Sequence, residues 1–142
     1  DALYNLFPQK LGGMPLIGIN DNPGTNGAIG TYGNESETSH LTRHITLIII
    51  DGAGYSGFQH INAVHRMLES NYSEENEKGW SRIEEQNNRK MIVQEETSDD
   101  RTTSGISFIK NRRYHVTLNG SRLSVVDLRG PASEMQGLKF PD

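Results

Sequence analysis

The sequence contains no cysteine. That removes a disulfide scaffold, a thiolate zinc site and a cysteine nucleophile, and leaves the redox compartment undetermined. Aromatic residues are scarce at 7%, and only 33% of the 142 residues are hydrophobic. A chain of this length corresponds to about one domain, so residues 1–142 are expected to form a single domain with a modest core, short elements and long loops. Basic residues are outnumbered: the formal net charge is −4, which argues against general nucleic-acid binding, because neutralising phosphates requires a basic surface. No apolar run approaches the roughly 20 residues that span a bilayer. A soluble chain, cytoplasmic or secreted, is therefore expected, without a membrane span. Acceptor tripeptides at Asn34, Asn71 and Asn119 fit a secreted glycoprotein, although Asn, Ser and Thr are common enough here for chance to supply such triplets. The chain begins at Asp1, which fits either a removed leader or a numbering that starts inside a longer product.

The most informative stretch is residues 45–69, ITLIIIDGAGYSGFQHINAVHRMLE. Ile45 to Ile50 are mostly β-branched, with Thr46 as the only polar member, as in a strand covered on both faces. After Asp51, Gly52, Gly54 and Gly57 give the spacing G-x-G-x-x-G. Phe58, Ile61, Val64 and Leu68 then recur at helical spacing. The stretch predicts strand, tight turn and helix. In such a unit the first glycine permits the turn, the second lets the backbone approach a pyrophosphate, and the third lets helix and strand pack closely. N–H groups at the helix start would face the phosphates.

IIIDGAGYSGF resembles the FAD-binding and NAD-binding fingerprint of flavoprotein oxidoreductases, flavin-dependent monooxygenases in particular. The resemblance covers residues 45–69. It implies FAD or NAD as cofactor, with Gly52, Gly54 and Gly57 against the diphosphate and an acidic residue at the end of a second strand on the ribose. Met91 to Val93 is the next strand candidate, and it ends near Glu95. A parallel pairing of 45–50 with 91–95 follows from that reading.

Other constellations point to narrower chemistry. Ile48 to Asp51 resembles the strand with terminal aspartate of nucleotide hydrolases, but G-x-x-x-x-G-K-[ST] is absent. Gly54-Tyr-Ser56-Gly57-Phe58 approaches a nucleophile elbow with Phe58 in place of the last glycine, and His60, His65 and His115 lie downstream. His40 and His44 are four apart, a spacing that serves metal ligation on a helix but separates the rings along a strand. Lys110, Arg112, Arg113 and Tyr114 form a basic turn suited to phosphate, an acidic partner or a glycan.

Glycine, proline and asparagine punctuate residues 1–40, which predicts a loop-rich arm with short strands near 16–19 and 28–32 and a hairpin turn at Asn26-Gly27. Residues 70–90 are acidic and polar, which predicts a surface connection with one short helix after Ser81, and 97–104 predict a loop. Ile106–Ile109, Tyr114–Leu118 and Leu123–Leu128 predict three strands, the last two joined by an Asn119-Gly120 turn. Residues 45–128 would form the core and 129–142 an irregular tail.

The expected architecture is α/β or α+β, a strand–turn–helix unit at 45–69 plus an antiparallel C-terminal hairpin sheet. A β-rich sandwich with one helix is the alternative. The function expected with the first is a small dinucleotide-binding domain or oxidoreductase fragment, with Gly52, Gly54, Gly57 and Glu95 at the cofactor and catalytic residues undetermined. The function expected with the second is a non-catalytic structural or binding module, such as an extracellular, viral or filament subunit, acting through self-assembly as a homo-oligomer or through partner binding.

Overall fold

A computed structural model describes residues 2–34 and 42–142. A 3₁₀ turn (Ala2–Leu6) precedes β1 (Lys10–Leu11), β2 (Met14–Asn22), β3 (Gly27–Gly33), β4 (His44–Asp51) and α1 (Tyr55–Leu68). Then follow β5 (Ser73–Glu75), β6 (Gly79–Gln86), β7 (Arg89–Ser98), β8 (Arg101–Lys110), β9 (Tyr114–Ser121) and α2 (Val125–Gly137). Among the described residues, nine strands form one sheet in the order β1-β2-β3-β4-β9-β8-β7-β6-β5. Every neighbouring pair is antiparallel. The sheet is thus two meanders, β1–β4 and β5–β9, joined where β4 meets β9. Helix α1 carries the chain from the middle of the sheet to its far edge.

Alternation divides the two faces. Ile45, Leu47 and Ile49 of β4 are buried, and the register aligns them with Tyr32, Gly30 and Ala28 of β3 and with Gly120, Leu118 and Val116 of β9. Ile106 and Phe108 of β8, then Met91 and Val93 of β7, extend this apolar face. Helix α2 covers it with Val125, Leu128, Ala132 and Met135, and Phe7 and Leu11 close the other side. Helix α1 lies across the opposite face and buries only Ile61 and Leu68. It leaves Tyr55, Phe58 and Met67 exposed.

The strand at 45–50 and the helix after it form as expected; β2 and β3 also make the expected hairpin, but its turn is 23–26 rather than Asn26-Gly27, since Gly27 already pairs with Asn22 as the first residue of β3. The β-rich alternative describes the architecture better than the α/β reading. The expected parallel pairing of 45–50 with 91–95 does not occur, because β9 and β8 lie between β4 and β7. Residues 70–90 supply β5 and β6 rather than a helix. The expected loop at 97–104 is mostly strand around a two-residue turn, Asp99-Asp100, both with positive φ. Asn87-Asn88 makes an equivalent turn between β6 and β7. Asparagine and aspartate tolerate this left-handed backbone better than other side chains.

The C-terminal expectations also change. Asn119-Gly120 is no turn: β9 runs through it, paired with Thr46 and Ile45 on one side and with Gly105 and Ser104 on the other. Ladders on both sides outweigh a local turn preference. Gly120 serves packing instead, since a Cβ there would lie 2.7 Å from Ser104 Oγ and 2.9 Å from Leu123 Cβ.

Leu123–Leu128 is not a strand, and 129–142 is not wholly irregular, because α2 starts at Val125. Ser124 caps it by accepting from the Asp127 N–H, while the Asp127 carboxylate accepts from the Ser124 N–H at 2.9 Å. Such reciprocal capping satisfies N–H groups that the first helical turn leaves unpaired. At the other end Lys110 Nζ donates to the carbonyls of Met135 and Gln136, at 2.7 and 3.0 Å, and to that of Leu138.

Two substitutions separate cap from core. Ser124→Ala should lower stability by about 1 kcal/mol and Leu128→Ala by about 2–5 kcal/mol. Urea titration followed by circular dichroism measures both, and a loss of similar size in each would contradict the assignment of Leu128 to the core.

Candidate functional site

At the end of β4 the glycine-rich turn is held by one ion pair. Arg113 Nε and Nη2 donate to the two Asp51 carboxylate oxygens at 2.7 and 2.8 Å. The Ala53 N–H adds a bond to Asp51 Oδ1 at 2.9 Å, and the Gly52 N–H donates to the Arg113 carbonyl at 2.7 Å. The guanidinium holds the Asp51 carboxyl below the usual carboxylate range.

Gly52, Gly54 and Gly57 come together in this turn, but they do different things. A Cβ on Gly52 would overlap the Ile61 side chain and lie 2.5 Å from the Arg113 carbonyl oxygen. A Cβ on Gly57 would lie 2.7–2.9 Å from the backbone of Gly52. These two glycines therefore let the first turn of α1 rest on the end of β4. Gly54 caps the helix at φ +87° with open space around its Cβ position.

Glu95 does not join them. It lies on β7 opposite Ser104, on the α2 face, and its carboxylate accepts from the Val125 N–H at 2.7 Å. That places it at the start of α2, where a negative charge is favoured.

The other sequence candidates are largely engaged in structure. Lys110 holds the end of α2, Arg113 holds Asp51, and Tyr114 is buried with its ring edge-on to Phe140 at 5.1 Å. Arg112 stays exposed. Ser56 is exposed and has no hydrogen bond to His60 or His115. His40 lies outside the described residues, and His44 Nδ1 lies 3.2 Å from both the hydroxyl and the carbonyl oxygen of Thr42. Among the described residues no three His, Asp or Glu side chains converge as a metal site.

His60 and His115 do meet, with His60 Nε2 2.9 Å from His115 Nδ1. The pair ties α1 to β9 on the half-buried side of the sheet. Burial first, and the neighbouring imidazole second, push His115 down to about 4. At neutral pH His115 is therefore uncharged, and a single ring proton bridges the two nitrogens.

Because α1 crosses only one end of the sheet, the other end of that face is open. The register there sets Thr46, Asn119, Gly105, Gln94, Ser81 and Glu74 in one row across β4-β9-β8-β7-β6-β5. His44, Ser121, Thr103 and Glu96 make the next row. Together they floor a polar trough of about 470 Å³, with Tyr72 and Arg101 also lining it. At Gly105 a Cβ would lie 2.9 Å from Gln94 Nε2 and 3.2 Å from Asn119 Oδ1, so the two side-chain amides lean over a bare floor.

Among the described residues, two polar atoms in the trough are buried without a hydrogen-bond partner, Ser121 Oγ and Arg101 Nε. Ser121 is only 7% exposed. Sequence reasoning did not single out these residues. Their signal was the alternation His115, Thr117, Asn119, Ser121 along one strand, which a turn at Asn119-Gly120 interrupts on paper but not in the fold.

Compared with protein-family models, with curated proteins and with solved structures, the chain matches none.

Two outcomes test this description. Gly57→Ala should destabilise the fold by about 1–3 kcal/mol, whereas an open phosphate-binding turn would accept the methyl group or gain from the better helix former; thermal unfolding distinguishes them. For His115, a folded value below the unfolded one means that the unfolded chain binds the extra proton. Stability is then complete above about pH 6.5 and falls as pH drops toward 4, by on the order of 2 kcal/mol. His115→Asn should flatten that segment of the stability–pH curve, and an unchanged slope would contradict the pairing.

Proposed function

We propose that this domain is a non-catalytic binding module whose ligand seat is the polar trough on the α1 side of the sheet. The observation that carries the proposal is the pair of orphaned atoms there, Ser121 Oγ and Arg101 Nε. Leaving a buried polar group unpaired costs about 1–3 kcal/mol, and folded proteins pair nearly all such groups. Both atoms are covered by neighbouring groups, so a ligand that displaces those neighbours and supplies the missing partners recovers that cost. The packing around Gly52 and Gly57, and the engagement of Glu95 with α2, support this reading over a dinucleotide cradle.

Backbone NMR of the labelled chain, titrated with a library of small polar compounds and separately with FAD, NAD and ADP, tests the proposal. Saturable shifts should cluster at Gln94, Thr103, Asn119 and Ser121 with members of the library. The three nucleotides should produce no saturable shift at residues 52–57. A nucleotide response centred on Gly54 and abolished by Gly54→Val would contradict the proposal and restore the oxidoreductase reading.

A further inference from the structure

We infer that the trough takes a neutral polyhydroxylated ligand, a short stretch of glycan, an inference that rests on the binding-module reading. The first argument is about what the trough lacks. It runs across β4, β9, β8, β7, β6 and β5, and all of these strands except β5 are paired on both sides. Their backbone donors and acceptors are therefore spent in the ladders, and the edge strand β5 is only three residues, Ser73–Glu75, a short template for an extended peptide to add to as a strand, the mode by which sheets usually take peptides. Recognition in the trough therefore falls mainly to side chains.

Those side chains suit hydroxyl groups. A sugar hydroxyl donates and accepts at once, so it pairs best where donors and acceptors are interleaved. Asn119 and Gln94 each present both kinds of atom from one amide, and Thr46, Thr103 and Ser121 add hydroxyls that can serve either way. The amides fill the space that the missing side chain of Gly105 leaves above the floor, which sets both of them side by side in the trough. Tyr72 lines the same space. Aromatic rings combine an apolar face with a polar tip, which matches the mixed C–H and O–H surface of a sugar. The volume, about 470 Å³, falls within the range of small-molecule sites.

Charge narrows the class. Arg101 stands against the carboxylates of Glu74 and Glu96 around the trough. That excess of negative charge disfavours nucleic acid and acidic glycans and leaves neutral sugars as the fitting class.

The full chain is screened on a broad array of neutral and acidic glycans, and soluble forms of the hits, maltotriose, chitotriose and sialyllactose included as fixed probes, are titrated by isothermal calorimetry, because Trp80, the chain's single tryptophan, lies on the α2 face under Arg82 and does not report on the trough. A neutral oligosaccharide should bind saturably. Asn119→Ala and Gln94→Ala should each weaken that binding about tenfold with unchanged thermal unfolding, and Arg112→Ala, outside the trough, should leave it unaltered.

Tighter binding of acidic than of neutral glycans overturns the inference. So does binding that the two amide substitutions leave unchanged. Polar compounds shifting Gln94 and Asn119 in the NMR titration, with no neutral glycan active on the array, overturn the glycan assignment and leave the binding module standing. Silence in both experiments overturns both.

Discussion

The ladder between β4 and β9, eight residue pairs from His44 with Ser121 to Asp51 with Tyr114, holds the two halves of the sheet together. Without it β1–β4 and β5–β9 are separate meanders, each with an open edge and half a core. Its alternation also decides what each face becomes. Leu47 with Leu118 and Ile49 with Val116 point to α2 and are fully buried. Thr46 with Asn119 and His44 with Ser121 point the other way and remain polar. The same pairing that builds the core thus lays out the trough, and it removes the backbone from any part in recognition.

Helix α1 divides the second face between structure and opening. Its start is fixed on the end of β4 by Asp51–Arg113 and by the contact of Gly57 with Gly52. Its middle is tied down by His60 and His115, and just past its end Glu69 pairs with Lys90 at 3.0 Å. The helix therefore lies across one end of β9, β8 and β7 and leaves the other end uncovered. The G-x-G-x-x-G spacing acquires a mechanical meaning in this setting. Two of its glycines permit close strand–helix contact, one of the three roles that the spacing also has in dinucleotide-binding folds.

Local patterns were legible in the sequence wherever local forces decide. The apolar run 45–50 and the helical stripe that follows formed where their residues indicated, and the β2–β3 hairpin formed with its turn at 23–26 instead of Asn26-Gly27. Elements set by partners far along the chain were not. Asn119-Gly120 carries a strong hairpin signal, yet strands β4 and β8 on either side hold it extended. Glu74, Ser81 and their neighbours look like solvated linker because β5 and β6 bury little; they are ordered by pairing to β7. Ser124 and Asp127 did spell a helix start, but the apolar, partly β-branched run of Leu123, Val125, Val126 and Leu128 favoured a strand. The trough was hidden for the same reason as the sheet order: its residues come from six strands and meet only through register.

The proposed binding seat rests on an unfavourable feature of the fold, and Ser121 is where it concentrates. Its hydroxyl is buried and unpaired, so it weakens the fold it belongs to unless something outside the fold completes it. The most direct measurement is the unfolding free energy of Ser121→Ala in the unliganded chain. Removing the orphaned hydroxyl should raise stability by about 1 kcal/mol. A loss of stability of that size would mean that Ser121 holds the fold together by itself, and the account of the trough as a binding seat would fail.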